Sequence, residues 1–523
     1  MNYLEFSFNT RKNNLQQLQQ GTPKIFEALI VGGGIVGAGL ARELAIRGIQ
    51  TLLVEKGDFA SGTSSRSSKL IHGGLRYLEM FDFRLVFEAL AERHWLLKTH
   101  PHLVHPLEFN LPIYEKKRAP QGSRGSFLLG LGLWLYDALS LFRTPFFHGK
   151  RSTRELLKLF PGLRSQGLRG SYYYADAMML DDELVLECLL DACRRQALAL
   201  NYAKVLKIKA PNSQGLYEVL VQDCLSQKKS NEASEPFIVH AKKVIVCVGP
   251  WTEQIGADVE KGSNRKLKPS RGVHLILPWK RFPVDRCLVM YAPDGRLVFA
   301  IPRKDLGPGA ELIIIGTTDA PEKGSLDEVC ATHQDVEYLL NVLKAYFPQQ
   351  NFKPEDILMT YAGVRPLLDD GSKTEANTSR EHEIWKNEAG VIFMAGGKYT
   401  TFRKISQEIA DFAFPLSHKN EKESKAPLST PEDYHARLSG KILWGKFTEG
   451  WVHWKLAHHA PCTLEDVVFR RLPLWMAGRE VFNEVLPSLV EISQSYFSWS
   501  KEELNLQLQK VEHQFNKAFL FLK

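Results

Sequence analysis

Residues 61 to 79 read Ser61-Gly62-Thr63-Ser64-Ser65-Arg66-Ser67-Ser68-Lys69-Leu70-Ile71-His72-Gly73-Gly74-Leu75-Arg76-Tyr77-Leu78-Glu79. Hydroxyls, paired glycines, Lys69, His72 and Arg76 are crowded here, where a plain helix or turn needs none of them. Hydroxyl, ammonium and guanidinium donors beside glycines that expose the backbone make a site for an anion and a flat ring.

The elements that position this stretch begin just before it. Ala28-Leu29-Ile30-Val31 is a short apolar run ending in Gly32-Gly33-Gly34-Ile35-Val36-Gly37-Ala38-Gly39. Gly32, Gly34 and Gly37 fit G-x-G-x-x-G: a tight turn, close backbone approach to a pyrophosphate, and close packing of the next helix on the sheet. A helix continues from Leu40 to Arg47, Gly48 ends it, and Gln50 to Val54 reads as a second strand closing on Glu55. An acidic residue at that distance accepts from ribose hydroxyls and disfavours a 2′-phosphate. An ordinary α/β unit explains a glycine turn, but the full succession with Glu55 points to a dinucleotide fold.

The chain is 523 residues long, more than one core usually holds, so two or three domains are expected. Its seven cysteines, without C-x-x-C spacing and odd in number, argue against a disulfide framework or a zinc site and fit a reducing cytosol. The net charge of +8 is spread along the chain without the pattern of a nucleic-acid module, so no nucleic-acid partner is expected. Met1 to Gln20, rich in Asn and Gln and lacking an apolar core, is no signal peptide and reads as a loose leader within residues 1–23. Asp82 is expected to cap a helix running to about Lys98. His100, His102 and His105 follow it, without a nearby Cys or paired carboxylate, and read as surface residues; no metal is expected.

The apolar stretch Phe127 to Phe142 is flanked by Lys116, Lys117, Arg118, Arg124, Arg143, Lys150 and Arg151. It falls short of the about 18 uninterrupted apolar residues of a spanning helix and carries Asp137. It is therefore either a buried helix or one lying in a membrane interface.

Asp181 or Asp182 opens another helix through about Leu200, and Val205 to Lys209, Leu216 to Val221 and Phe237 to Ala241 read as strands. Lys243 to Val248 reads as a buried strand ending in a turn at Gly249 and belongs beside the first strand. A similar event recurs where Gly390 to Met394 runs into Ala395-Gly396-Gly397-Lys398-Tyr399-Thr400-Thr401 and a helix follows. FAD is long enough to touch both glycine turns, which favours FAD over NAD. The segment from about 428 to the C-terminus is helical by pattern, with a capping-box start at Thr463 and Asp466.

In order and spacing, Gly32 to Gly39, Ser67 to Glu79, Gly316-Thr317-Thr318-Asp319, Gly363-Val364-Arg365-Pro366-Leu367 and Gly396 to Lys404 resemble the FAD-dependent glycerol-3-phosphate dehydrogenases of the aerobic, membrane-associated type. The resemblance covers about residues 26 to 410, and more loosely the tail through Arg471. It implies a substrate pocket over noncovalent FAD. Arg76, Tyr77, His274, Arg365, Arg380 and Lys398 are the implied substrate contacts, with His274 and Arg365 catalytic: one as base, the other stabilising a developing alkoxide. Arg365 and Arg380 reach one pocket if the chain turns back at Asp369-Asp370-Gly371. Gly32, Gly33, Gly34, Gly37, Glu55, Ser67, Ser68, Lys69, Leu70, Gly249, Gly397, Lys398, Thr400 and Thr401 are the implied FAD contacts.

The expected fold is α/β, with a split Rossmann-like FAD-binding domain (24–100, 175–255 and 355–415), an inserted mixed-sheet substrate domain (101–174 and 256–354) and a C-terminal helical domain (428–523). That last domain either packs on the flavoprotein or mediates self-association, as in a homodimer. The implied reaction oxidises sn-glycerol 3-phosphate to dihydroxyacetone phosphate by hydride transfer from C2 to flavin N5, with electrons passing to a quinone from a cytoplasmic enzyme attached peripherally to the inner membrane surface. The alternatives are a glycerol-3-phosphate oxidase using oxygen and an amine or amino-acid oxidase of the same fold superfamily.

Overall fold

In the computed structural model, the apolar run Ile25–Val31 lies inside a largely parallel sheet whose central strands are covered on both faces, which is why it reads as continuous rather than alternating. The structure describes residues 6–20, 24–115, 126–225, 234–263, 265–369, 381–428 and 435–522, without the side chains of Arg76, Glu79, Met80 and 126–128. Ile25–Val31 pairs in parallel with Thr51–Val54 on one side and Phe237–Val246 on the other. Leu198–Leu200 extends the sheet beyond Thr51–Val54, and Ile392–Gly396 extends it beyond Phe237–Val246, each in parallel. The helix Ile35–Ile46 crosses over between the first two strands.

Two expectations change here. The stretch read as two strands, 237–241 and 243–248, is one strand, Phe237–Val246. Its first half alternates in burial because it pairs with the half-exposed strand Tyr217–Asp223, whereas its second half is enclosed between neighbours. The helix that opens at Asp181 ends at Arg194, since Leu198–Leu200 is taken up as the sheet's outer parallel strand.

The second sheet is mixed. Its order runs Ala320–Pro321, Leu267–Pro278, Leu312–Gly316, Leu297–Arg303, Cys287–Tyr291, Val104–Tyr114, Leu168–Met179, Leu70–Ile71. Met359–Leu368 pairs antiparallel along Leu267–Pro278, in a register that sets His274 opposite Tyr361 and Ser270 opposite Arg365. Leu168–Met179 and Met359–Leu368 both belong to this sheet, which therefore reaches past the boundaries expected at 175 and 355.

The leader is not loose over its described part. Phe8–Gln20 is a helix whose buried Arg11 ion-pairs with Asp223 at 2.5 Å and donates to the Asn201 carbonyl. Asp82 caps Phe83–Thr99 by accepting from the Leu85 amide at 3.1 Å, as the sequence suggests. Thr463 and Asp466 form the expected capping box. Just beyond it, Arg470 and Arg471 close on the buried Asp58 of the nucleotide unit, so the C-terminal segment packs on the flavoprotein. The expected start of the C-terminal domain at 428 is followed by residues 429–434, which lie outside the described residues.

Candidate functional site

A cavity of about 1290 Å³ runs between the two sheets. Gly32, Gly34, Ile35 and Glu55 line one end, Gly397, Lys398 and Thr400 lie further along, and Tyr77, His274 and Arg365 also border it. Glu465, Phe469, Arg470 and Trp475 of the C-terminal segment close another wall.

The glycine turn is dictated by sterics. Gly32 sits at φ +111°, and a Cβ there would fall 2.5 Å from the Cys247 carbonyl oxygen; one on Gly37 would fall 1.9 Å from the Gly32 oxygen. The following helix points its N-terminus at the cavity, a disposition that favours phosphate. Ser64, which sequence reading did not single out, accepts from the Ile35 amide at 2.9 Å. The Glu55 carboxylate accepts from the amides of Gly33 at 2.7 Å and Gly57 at 2.8 Å. Burial raises its carboxyl above the usual range against the pull of these two bonds. Gly33, Gly37 and Thr401 support the turns from behind and do not line the cavity.

At the second turn Gly396 and Gly397 have φ of +82° and +81°, which carries the chain from its strand into Phe402–Ala413. Lys398 Nζ stands 3.4 Å over the centroid of the Tyr77 ring, a cation–π contact. Thr400 accepts from the His72 amide at 3.3 Å. Gly249, at φ +56°, lines the cavity beside Gly32. A dinucleotide reaching from the first glycine turn past the second fits these residues, because both turns and Glu55 line one continuous cavity and the glycines let the backbone bend there without striking neighbouring protein atoms.

Lys69 departs from expectation. Its side chain is buried and pairs with Asp181 instead of lining the cavity, which its neighbours Ser67, Ser68 and Leu70 do. Ser67 donates to Asp181 at 2.7 Å, and Ser68 Oγ lies 2.8 Å from His274 Nε2.

His274 is buried in strand Leu267–Pro278. Burial first, then the charges of Arg365 and Lys69, push its imidazole well below the ordinary value, so the ring is neutral at physiological pH. Arg365 is held by Asp319 at 3.2 Å, the Thr317 hydroxyl at 3.2 Å and the Thr318 carbonyl at 3.3 Å. Five groups named from the sequence, Tyr77, Ser68, His274, Arg365 and Lys398, thus border one cavity. The side chain of Arg76, all of Arg380 and the turn at 370–371 lie outside the described residues. Asp181 and Tyr361 were missed: the first reads only as a helix start, and the second only as one more aromatic residue in an apolar run.

The histidines after Asp82's helix are not surface residues as a group. His100 is fully buried between Thr99 and the Leu428 amide, and burial takes it down to about 4. His102 contacts Glu187 at 3.0 Å. Among the described residues no cluster could hold a metal ion.

Residues 27–403 match the model of the family described as FAD dependent oxidoreductase. The chain is 35% identical over 396 residues to an aerobic glycerol-3-phosphate dehydrogenase of Bacillus subtilis, covering 76% of this chain and 68% of that one. It is 32% identical over 463 residues to the aerobic glycerol-3-phosphate dehydrogenase of Staphylococcus haemolyticus, covering 88% and 78%. The crystal structure of a glycerol-3-phosphate dehydrogenase from Bacillus halodurans complexed with FAD superposes with a TM-score of 0.77 at 25% identity over 99% of both chains. An L-alpha-glycerophosphate oxidase from Mycoplasma pneumoniae with FAD bound shares the fold, with a TM-score of 0.56 at 18% identity over 77% of this chain and 98% of that one. The glycine turns, Glu55 and the cavity that joins them to His274 and Arg365 are thus those of an FAD-dependent oxidoreductase, and the chain belongs to that family, among its glycerol-3-phosphate dehydrogenases.

Proposed function

We propose that the protein oxidises sn-glycerol 3-phosphate to dihydroxyacetone phosphate, with hydride passing from C2 to N5 of FAD and electrons going on to a membrane quinone. The observation that carries this reading is the neutral imidazole of His274 in the same cavity as two fixed cations, Arg365 and Lys398. Bound FAD supplies the hydride acceptor.

The chain's own residues supply the rest. Arg365 and Lys398, with Arg76 and Arg380 as further candidates, are the donors a phosphate dianion requires. An amine or amino-acid substrate has no need of such a clamp. Ser68 Oγ, 2.8 Å from His274 Nε2, passes its hydroxyl proton to that nitrogen as it takes the C2 hydroxyl proton, so the imidazole ends protonated and the Ser68 hydroxyl is restored. Asp319 and Thr317 hold Arg365 where it can also stabilise an alkoxide as the proton leaves.

Membrane attachment is supported by the outer surface of helix Ser126–Leu139. Leu131 and Trp134 are 58% and 60% exposed, Leu141, Phe142 and Phe147 follow, and Phe81, Phe83 and Phe87 lie exposed on the neighbouring helical segments. No helix among the described residues is long and apolar enough to cross a membrane. Anaerobic mixing of the FAD-loaded protein with glycerol 3-phosphate tests the reaction: the flavin absorbance bleaches, and a flavin that stays oxidised sinks the proposal. Rapid reoxidation of the bleached protein by air would replace the quinone with oxygen as acceptor.

A further inference from the structure

Asp181 opens the helix Asp181–Arg194, is fully buried, and does not line the cavity. Its carboxylate nonetheless gathers the site segment. Oδ2 accepts from the Ser67 hydroxyl at 2.7 Å and the Ser67 amide at 3.2 Å, and Oδ1 accepts from Lys69 Nζ. The Ser67 hydroxyl in turn accepts from the Lys69 amide at 2.9 Å. Lys69 sits at φ +55°, a conformation that a side-chain-bearing residue holds only when its surroundings impose it. The Asp181 carbonyl also accepts from the Tyr399 hydroxyl, which ties the same point to the second glycine turn.

Ser68 lies between the two residues that Asp181 holds, and its hydroxyl touches His274. From the other side Tyr361 donates to the Ser67 carbonyl at 2.9 Å and stacks on the His274 ring. We propose that Asp181 is a positioning residue for proton transfer: through Ser67 and Lys69 it fixes the loop that holds Ser68 Oγ on His274 Nε2. The inference rests on the reaction proposed above. A buried carboxylate serving only to neutralise Lys69 needs the ammonium alone; the two bonds to Ser67 do nothing for that charge and serve to set the loop's position.

The test uses the FAD-loaded enzyme. Asp181→Leu, similar in size but unable to accept, is expected to slow anaerobic bleaching by glycerol 3-phosphate about 100-fold, the cost of a small displacement at a reacting centre, while half-saturation is little changed. The 15N signal of His274 Nε2, identified by its loss in His274→Gln, is expected to move in Asp181→Leu as it moves in Ser68→Ala. Asp181→Leu also leaves Lys69 unpaired, so Lys69→Met/Asp181→Leu is the control: it regains the parent's thermal stability and flavin content but not its rate. Parental bleaching in Asp181→Leu, an unmoved His274 signal, or a double variant with the parental rate each overturns the inference. A parent enzyme that glycerol 3-phosphate does not bleach overturns the proposed reaction, and the His274 signal then decides the positioning role by itself.

Discussion

The imidazole of His274 lies face to face on the phenol ring of Tyr361, with centroids 4.6 Å apart and planes 9° from parallel. The pair is set by register, since the two residues are directly opposed on neighbouring antiparallel strands, and Trp475 of the C-terminal segment meets Tyr361 edge-on at 5.4 Å. This packing removes water from the imidazole and penalises its charged form.

The pH dependence follows. The unfolded chain protonates this histidine near its ordinary value of 6.5, whereas in the folded protein burial, Arg365 and Lys69 hold it well below that. The neutral form that accepts a proton is therefore already present at pH 6, and the rate of flavin reduction shows no loss through His274 between pH 8 and pH 6. The corresponding stability cost appears as pH falls below 6.5, where the unfolded state binds the extra proton. Stopped-flow reduction across this range checks the kinetic part: an acid limb centred near 6.5 that disappears in His274→Gln would falsify it.

Arg365 is expected to be far more sensitive than its only partly buried position suggests. Asp319, Thr317 and the Thr318 carbonyl hold the guanidinium in one orientation, so its charge is delivered without reorganisation. Arg365→Ala lowers kcat/KM for glycerol 3-phosphate by about 100-fold or more, in line with losing a fixed donor at a developing charge. Arg365→Lys recovers only part of this, because one ammonium cannot replace the planar fork. Steady-state kinetics with an artificial dye acceptor measures both; equal rates for Lys and Arg would remove the geometric argument.

Asp58 couples the C-terminal segment to the nucleotide unit. Its buried carboxylate accepts from Arg470 at 2.5 Å, from two nitrogens of Arg471 at 2.6 and 2.8 Å, and from Asn201 at 3.1 Å. Asp58→Asn takes the carboxylate from buried Arg471, while Arg470 keeps Asp466 at 2.8 Å, and a loss of about 3 kcal/mol is expected. Burial alone would raise the carboxyl, but Arg471 and Arg470 outweigh it and hold it below its ordinary value of 3.8. Its contribution is therefore present above pH 3.8 and fades as pH falls through the lower folded value. Urea midpoints of parent and variant should differ widely at neutral pH and converge in acid; a constant gap would mean that the effect is packing, not charge.

How much of this was readable beforehand depends on the range of each interaction. Gly32 and Gly37 exclude a side chain because of backbone atoms in their own turn or the adjoining strand, so the fingerprint and Glu55 were visible in a 24-residue window. His274, Arg365 and Lys398 had no local signal and were identified through resemblance to a known family, which carries the tertiary information that single residues lack. Lys69 reads as a cofactor contact because of its neighbours, whereas the side chain that holds its ammonium in the fold, Asp181, is 112 positions away. The N-terminal helix was overlooked for the same reason, its anchoring pair Arg11–Asp223 spanning 212 positions. Polar composition suggested a loose segment, and one buried ion pair reversed that reading.

The apolar helix Ser126–Leu139 resolves into two faces, which makes its membrane role testable without touching the site. Leu133 and Tyr136 face inward, and the Tyr136 hydroxyl bonds to Asp176 at 2.8 Å and accepts from the Gly73 amide at 2.9 Å, so the inner face braces the 61–79 segment. Leu131 and Trp134 face outward. An apolar surface this large on one side of a protein marks an interaction site, and exposed aromatic residues suit the lipid headgroup boundary. Leu131→Glu/Trp134→Glu should therefore abolish cosedimentation with liposomes and slow quinone reduction in them, while anaerobic bleaching by glycerol 3-phosphate stays at the parental rate. Tyr136→Phe should do the reverse, keeping liposome binding but slowing bleaching, because the Gly73 amide loses its 2.9 Å bond to the phenol and keeps only the 3.3 Å one to Asp176. If the charged double variant still cosediments, the outer face is not the docking surface and attachment must be sought elsewhere on the molecule.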